Sequence, residues 1–259
     1  MRSTSPVSLF LSLLVLAALP AGASGTAPNP SIDGPAPGIP PVATGILRTI
    51  ATDGDRSKVG PYHWALWETR SGESTRILEE RYTDPSGALI AVGRNELQGE
   101  QVREYLIDQK QIGQRGRITV AGDRVHFQWD ENGKSRTATE KLTGNFVTPV
   151  TLALYAQKHW SEILAGKSVQ VRFAVLPRVE TVGFFLQRLE AAKDAAAGSP
   201  VEVRMRASSP LIALFAPSFR FVFSADSKDV LKYEGISVPK FRKGDSWKDL
   251  ELHAVYRKN

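Results

Sequence analysis

The chain has 259 residues, 33 of them Lys or Arg and 27 Asp or Glu, which gives a formal net charge of +6, and it contains no cysteine. The missing cysteines exclude disulfide bonds, thiolate metal sites, thiol nucleophiles and iron–sulfur clusters. A basic chain can favour an anionic partner such as a phosphate headgroup, lipopolysaccharide or nucleic acid. Because basic and acidic residues are interleaved without a run of five like charges, a solvated basic surface is the simpler interpretation, and we expect no nucleic-acid partner.

The first 23 residues have the three parts of a secretory signal peptide. Arg2 supplies a positive charge, Val7–Leu19 is an apolar run interrupted only by serine, and Ala21-Gly22-Ala23 is a small-residue cleavage site. The apolar run is too short to cross a bilayer, and no cysteine follows the cleavage site to carry a lipid anchor. We therefore expect export to the periplasm, release in soluble form and no integral membrane span in the mature chain.

Composition divides the remaining chain into two parts. Residues 24–42 are rich in Pro, Gly, Ala and Ser and show no hydrophobic period, which predicts a flexible linker. Residues 43–259 have the length of one large β domain and can bury a core without covalent cross-links. The sequence thus predicts a signal peptide at 1–23, a linker at 24–42 and a single β-rich domain at 43–259.

Alternation of apolar and polar residues dominates the domain from residue 62 onward. In one segment Val125, Phe127 and Trp129 share a face, and the Asn132-Gly133 pair that follows predicts a tight hairpin turn. About a dozen such segments follow one another, mostly through short loops, which favours an antiparallel meander.

Two segments depart from this alternation. Thr148 is expected to cap a helix that has Pro149 at its first position, continues with apolar residues at three- and four-residue spacing, and ends at Gly166. Pro239 and Gly244 are expected to bracket a loop before the last strand.

These elements predict a mainly β fold of the α+β class. Many strands carry one polar face, so the sheet is expected to be covered on one side only. A sheet of about a dozen strands curls instead of staying flat. We therefore expect a curved antiparallel sheet that forms a half-barrel or open barrel, with one or two helices packed in its concave face.

Known catalytic and cofactor motifs are missing from the chain, including the nucleophile elbow, the His-Glu-x-x-His pattern and the phosphate-binding glycine loops. Glu79 and Glu80 are adjacent on a strand and point to opposite faces, so they cannot form a catalytic pair. Lone histidines are usually structural, and we expect no catalytic residue, metal site or cofactor. The four histidines occur one per element: His63, His126, His159 and His253.

Aromatic residues on the strands are the main candidates for a binding site. In a filled sandwich they would form the core, whereas in a half-barrel wider than its helical plug some would border a cavity for an acyl chain or another apolar ligand. Arg172, Arg204 and Arg206 fall on the opposite face, which argues against an anionic headgroup inside that cavity. The predicted lining residues are Trp64, Trp67, Phe127, Trp129, Phe173, Phe184, Phe221 and Phe223.

The second half of the chain carries a family resemblance over residues 158–189, 208–237 and 250–256. Its motifs are Leu176-Pro177-Arg178, Val182-Gly183-Phe184 and Tyr233-Glu234-Gly235-Ile236-Ser237. They resemble a large family of uncharacterised bacterial periplasmic proteins, which are similar in architecture to the outer-membrane lipoprotein carriers. The resemblance spans roughly residues 60–256 and implies a curved half-barrel with helices in its concavity and the handling of an apolar ligand or lipid. It implies no catalytic residues.

The main functional hypothesis is therefore a soluble, non-catalytic periplasmic binding or carrier protein for an apolar ligand or lipid. A structural or interaction module is the alternative, binding another envelope protein through a sheet edge or the proline-rich segment. An enzyme is the third hypothesis, and its site would need at least two of the histidines in one pocket with a carboxylate or a serine.

Overall fold

The computed structural model describes residues 32, 38–50, 59–190, 196, 198–213 and 219–259. The predicted signal peptide and most of the predicted linker lie outside these residues. Of the linker residues that are described, Ile32 is buried against Val92 and Leu106, and the Trp67 indole donates a hydrogen bond to the Ile39 carbonyl at 2.8 Å. These two residues of the predicted linker thus contact the domain.

Strands make up most of the described chain. They are β1 Ala43–Thr49, β2 Tyr62–Ser71, β3 Thr75–Thr83, β4 Leu89–Gln98, β5 Gln101–Gln109, β6 Gln114–Ala121, β7 Arg124–Glu131, β8 Lys134–Lys141, β9 Phe146–Val147, β10 Val169–Val175, β11 Glu180–Arg188, β12 Val201–Ala207, β13 Phe219–Phe223, β14 Val230–Lys243 and β15 Ser246–Lys258. The helices are α1 Leu152–Lys158, α2 Trp160–Leu164, a 3-10 helix Leu176–Arg178 and α3 Pro210–Ala213.

All fifteen strands belong to one sheet, in the order β8-β7-β6-β5-β4-β3-β2-β1-β15-β14-β13-β12-β11-β10-β9. Neighbours are antiparallel except for the short β9, which pairs parallel with β10. From β1 in the middle of the sheet the chain runs to the β8 edge and then forms β9 at the opposite edge. It passes through α1 and α2 to β10 and returns strand by strand to pair β15 with β1. The prediction of a mainly β fold with one large antiparallel sheet is confirmed, although the central β1 was not predicted.

The sheet curls until strands far apart in its order touch. Glu140 of β8 accepts hydrogen bonds from the backbone N–H and the hydroxyl of Thr181 on β11, at 2.9 and 2.5 Å. Gln111, in the β5–β6 turn, forms two hydrogen bonds with the backbone of Lys240 on β14, at 2.8 and 3.1 Å. The result is the open barrel expected for a sheet of this length.

The direction of β15 defines the two ends of the barrel. The upper end is at the turn between β14 and β15, and the lower end is at the last residue of β15. Helix α1 crosses the lower end. Gln157 donates to the carbonyl of Lys228 before β14 at 2.9 Å, and the Lys158 ammonium pairs with Glu100 between β4 and β5 at 2.5 Å.

Both α1 and α2 pack between the two halves of the sheet. The side chains buried against β10–β13 are Leu152, Ala156, Trp160 and Ile163. On the other side of α1, Leu154 packs with Leu78, Leu97 and Val102 of β3–β5. The prediction that one or two helices fill part of the concave face is confirmed.

The regular helix begins later than predicted, with Thr151 at the N-cap position of α1. The Thr148 hydroxyl accepts the backbone N–H of Thr151 at 3.4 Å and donates to the side-chain oxygen of buried Asn95 at 2.7 Å. His159 interrupts the helical backbone and separates α1 from α2. The predicted end is confirmed, because Gly166 has a φ of +76° and its N–H bonds the Ile163 carbonyl.

Strands β14 and β15 form one long hairpin, so the loop predicted between Pro239 and Gly244 is wrong. β14 continues through Pro239 because its pairing with β15 shifts between Ile236 and Lys240, and a proline, which has no N–H, is tolerated at such a bulge. Only residues 230–234 of the hairpin's first arm pair with β13 and only 252–258 of its second arm pair with β1. The upper part of the hairpin therefore extends beyond the sheet.

Candidate functional site: an aromatic interior cavity

A cavity of about 2640 Å³ occupies the concave side of the sheet. Its lining runs from Trp247, near the upper end of β15, to Lys258 at its lower end. Small-molecule sites usually measure about 300–1,000 Å³. The helices therefore leave a large, partly open space on the concave side of the sheet. We call the face of the sheet that borders this space the inner face.

Strand geometry selects which residues reach the inner face, because successive side chains point to opposite sides of a sheet. On β2, for example, Trp64, Leu66 and Glu68 line the cavity. Five of the eight aromatic residues predicted from the sequence are among the lining residues: Trp64, Trp129, Phe173, Phe184 and Phe221.

Ring-to-ring contacts hold these aromatic residues in place. Phe184 meets Phe173 and Phe219 edge to face, with centroids 6.0 and 6.2 Å apart. Trp64 meets Tyr256 in the same way at 4.9 Å. Pairs of this kind contribute about 0.5–1.5 kcal/mol beyond the area that they bury. The lining is thus a packed aromatic surface with fixed shape.

The other three predicted residues do not line the cavity. Phe127 and Phe223 are each 2% exposed and belong to the packed core. Trp67 lies on the outer face, because it is three residues from the inner Trp64 on the same strand and an odd spacing reverses the face. Its prediction as a lining residue is therefore wrong. Its ring is covered by the guanidinium of Arg81, 5.3 Å from the centroid.

Glycines on the inner face provide room for the bulky groups. A Cβ on Gly45 would lie 2.7 Å from the ring of Tyr256, and one on Gly116 would lie 2.8 Å from the ring of Trp129. Real Cβ atoms essentially never come this close to another heavy atom. Pairs of a glycine with a large neighbour on the next strand therefore shape the cavity wall.

A buried carboxyl group, that of Glu80, lies within this lining. Its side chain accepts hydrogen bonds from the indole N–H of Trp64 and the hydroxyl of Tyr82, both at 3.0 Å. Burial raises the pKa of Glu80, and the two hydrogen bonds oppose the rise. The raised pKa extends the neutral form to higher pH. Glu80 is thus a buried polar group among aromatic and aliphatic side chains.

Several tyrosines surround this carboxyl group and keep the lining uncharged. Burial, together with the nearby Glu80, raises the pKa of Tyr82, Tyr105 and Tyr256. Burial likewise raises the pKa of Tyr233. All four groups are neutral phenols at physiological pH.

Charged side chains appear toward the two ends of the cavity, mostly in ion pairs. The pairs at the upper end are Glu131–Arg136 at 3.2 Å, Arg178–Glu180 at 2.5 Å and Lys240–Asp249 at 2.6 Å. Those at the lower end are Glu68–Arg76 at 3.0 Å and Asp229–Lys258 at 3.2 Å. The cavity thus has an aromatic middle between two polar ends.

Sequence reasoning missed Glu80 and the tyrosines as lining residues. The signal was present, because Leu78, Glu80 and Tyr82 alternate along β3 and all three line the cavity. Glu80 was considered only as a possible partner of its neighbour Glu79. Reading the alternation through the polar position would have placed a carboxyl group on the apolar face.

The histidines do not come together in the cavity, and the part of its lining that the structure describes includes none of them. Three of them have a polar neighbour: His126 with Thr139, His159 with Glu162 and His253 with Glu234. Among the described residues, no three His, Asp or Glu side chains are grouped closely enough to hold a metal ion.

Among known proteins, solved structures resemble this chain at low TM-scores. No known family matches the chain, and no curated protein matches it. A solved structure similar to it is the beta-barrel-like protein of the domain of unknown function DUF1849 from Brucella abortus, at 8% identity and a TM-score of 0.41, covering 85% of this chain and 98% of that one. A porin-like protein from Bacteroides uniformis is also similar, at 9% identity and a TM-score of 0.23, with the same two coverages. The likeness to these two proteins carries no functional argument.

Within the described residues, no helix is both long enough and apolar enough to cross a lipid bilayer.

Proposed function

We propose that the protein is exported to the periplasm and binds a lipid or another apolar ligand in its interior cavity, as a carrier without catalytic activity. The observation that carries the proposal is the cavity of about 2640 Å³ with an aromatic lining. A filled core would need no such space. The predicted signal peptide supports export.

The chemistry of the lining favours a ligand with at least one long apolar chain. Removing a CH₂ group from water stabilises a complex by about 0.8 kcal/mol, so a chain that reaches along the cavity gains affinity at every carbon. Phe173, Phe184 and Phe221 supply this surface. Glu80, with its raised pKa, can hydrogen-bond an uncharged hydroxyl, amide or ester group of the ligand.

A sheet-edge interaction with another envelope protein is the alternative. The two edges are the eight-residue β8 and the two-residue β9. Glu140 on β8 is bonded to Thr181 of β11, so part of the longer edge is occupied within the chain itself. The cavity is therefore the stronger basis for a function.

The direct experiment is a binding titration with a dansyl-labelled undecanoic acid, whose emission rises in an apolar site. We expect saturable binding to the delipidated protein and displacement by unlabelled fatty acid or phospholipid. Organic extraction of protein purified from periplasm, followed by mass spectrometry, then identifies the bound molecule. A protein that neither carries an extractable lipid nor binds the probe contradicts the proposal.

Two phenylalanines on adjacent strands provide a matched pair of variants. Phe173 is half-buried on the inner face, and Phe185 is half-buried on the outer face. Phe173→Asp places a charge in the lining and should weaken probe binding at least about tenfold, because a carboxylate in apolar surroundings is strongly unfavourable. Phe185→Asp should leave probe affinity within about twofold. Equal losses in both variants contradict binding inside the cavity.

A further inference from the structure

The tip of the β14–β15 hairpin is exposed on all sides. Every residue from Arg242 to Asp249 is exposed, although Phe241 and Leu250 on either side are buried. The base of the extension is fixed, since Gln111 binds the backbone of Lys240 and the Tyr62 hydroxyl donates to the same carbonyl at 3.3 Å. A firmly held hairpin thus presents a free tip.

This tip combines positive charge with an exposed aromatic ring. Residues 240–249 contain four basic and two acidic side chains, a net charge of 4 − 2 = +2. One basic and one acidic group, Lys240 and Asp249, pair with each other. Trp247 is 40% exposed, and the guanidinium of Arg242 lies 6.0 Å from its ring centroid. A tryptophan beside lysine and arginine is the combination enriched where proteins meet the headgroup layer of a membrane.

Two further features place an apolar rim around the same end of the barrel. Ile50, after β1, is 45% exposed, and Leu89, at the start of β4, is 36% exposed. Arg242, Lys243 and Trp247 themselves border the cavity. A membrane in contact with this tip would therefore lie directly against the upper opening of the aromatic cavity.

We propose that the β14–β15 tip docks the upper end of the barrel on an anionic lipid surface. Arg242, Lys243 and Lys248 contact lipid phosphates, and Trp247 enters the headgroup layer. Docking would bring the cavity opening to the membrane that supplies or accepts the ligand. The inference therefore rests on the carrier function proposed above and adds a partner to it. An acidic protein is a less suitable partner, because an exposed tryptophan and an open apolar cavity add nothing to its recognition.

Co-sedimentation with lipid vesicles tests the proposal. The full mature chain is mixed with vesicles of equal parts phosphatidylglycerol and phosphatidylcholine, or of phosphatidylcholine alone. We expect binding to the anionic vesicles only, weakened at least about tenfold in an Arg242→Gln/Lys243→Gln variant. The charge-matched control is Arg124→Gln/Lys141→Gln, which removes two exposed cations at the lower end and should change binding by less than about twofold.

Depth of insertion is measured with brominated phosphatidylcholine in the anionic vesicles, which quenches tryptophan in the bilayer. We expect quenching in the full chain and its loss in Trp247→Phe. Three results would each overturn the proposal. The first is no binding to anionic vesicles, and the second is equal weakening of vesicle binding by the control variant. The third is binding to heparin as strong as binding to anionic vesicles, without bromolipid quenching. The dansyl-undecanoic acid titration of the full chain without vesicles distinguishes the two proposals: vesicle binding without probe binding refutes the carrier function alone, and probe binding without vesicle binding refutes docking alone.

Discussion

Replacement of Gly93 by alanine tests whether the buried carboxyl group of Glu80 has the surroundings described above. The new Cβ would lie 2.6 Å from a carboxyl oxygen of Glu80 and 2.8 Å from its Cγ, so that side chain has to move. Moving it breaks the hydrogen bonds from Trp64 and Tyr82. Overpacking of a core typically costs about 1–3 kcal/mol, and each hydrogen bond adds about 1 kcal/mol. We expect Gly93→Ala to lower the free energy of unfolding by about 3–5 kcal/mol.

The measurement is urea unfolding followed by tryptophan fluorescence, with thermal unfolding as a second readout. Gly144→Ala is the control, because a Cβ added to Gly144 would have no atom of the described residues within 4 Å and the backbone there lacks a positive φ. Alanine there should be neutral or stabilise by up to about 1 kcal/mol. The double variant Glu80→Ala/Gly93→Ala should be less destabilised than the sum of its single changes, by at least about 1 kcal/mol. Equal stability of Gly93→Ala and Gly144→Ala would refute the reasoning.

Three further substitutions test the charge, the lining and the curl of the sheet. Burial raises the pKa of Glu80 above its unfolded value, so its stabilising contribution is complete below the unfolded pKa of about 4.5 and is lost as pH rises through the folded pKa. Glu80→Gln should therefore gain stability relative to wild type as pH rises from 4 to 8 in a series of thermal melts, and parallel pH profiles would contradict this. Phe184→Ala should cost about 3–5 kcal/mol in urea unfolding because the ring is 6% exposed, whereas Phe185→Ala on the outer face should cost about 1 kcal/mol or less. Glu140→Ala removes both hydrogen bonds from Thr181 and should cost about 1–3 kcal/mol, with faster hydrogen exchange at the Thr181 amide as its local signature; unchanged exchange would exclude a contact between β8 and β11 in solution.

Local signals in the sequence predicted local structure well. Asn132 and Gly133 both have positive φ, 52° and 72°, as the tight turn between β7 and β8 requires. The curled sheet followed from strand number, since a long series of strands with one polar face has few other ways to cover its apolar side. Alternation also placed five of the eight predicted aromatic residues on the cavity wall, because the two-residue period of a strand is fixed.

Features that depend on contacts between distant residues could not be predicted. The Thr148 hydroxyl accepts the Thr151 N–H, as its sequence position suggests, but it also donates to Asn95, more than fifty residues earlier. The strand through Pro239 depends on a bulge in its pairing with β15. Trp67 was predicted to line the cavity because it lies among aromatic residues, although its three-residue distance from Trp64 places it on the opposite face of β2. The size of the cavity likewise depends on how far the sheet curls, which no local pattern determines.

The pairing of β1 with β15 has a consequence for how the chain folds. The middle of the sheet joins residues 43–49 to residues 252–258, so about 200 residues separate the two partners. At a synthesis rate of about 5–20 residues per second, β1 would wait roughly 10–40 s for its neighbour to be made. Pairings at such long separation also form slowly once the chain is complete. Until then β1 has an unpaired side at what will become the centre of the sheet, and an aggregation-suppressing chaperone would have its greatest effect during this interval.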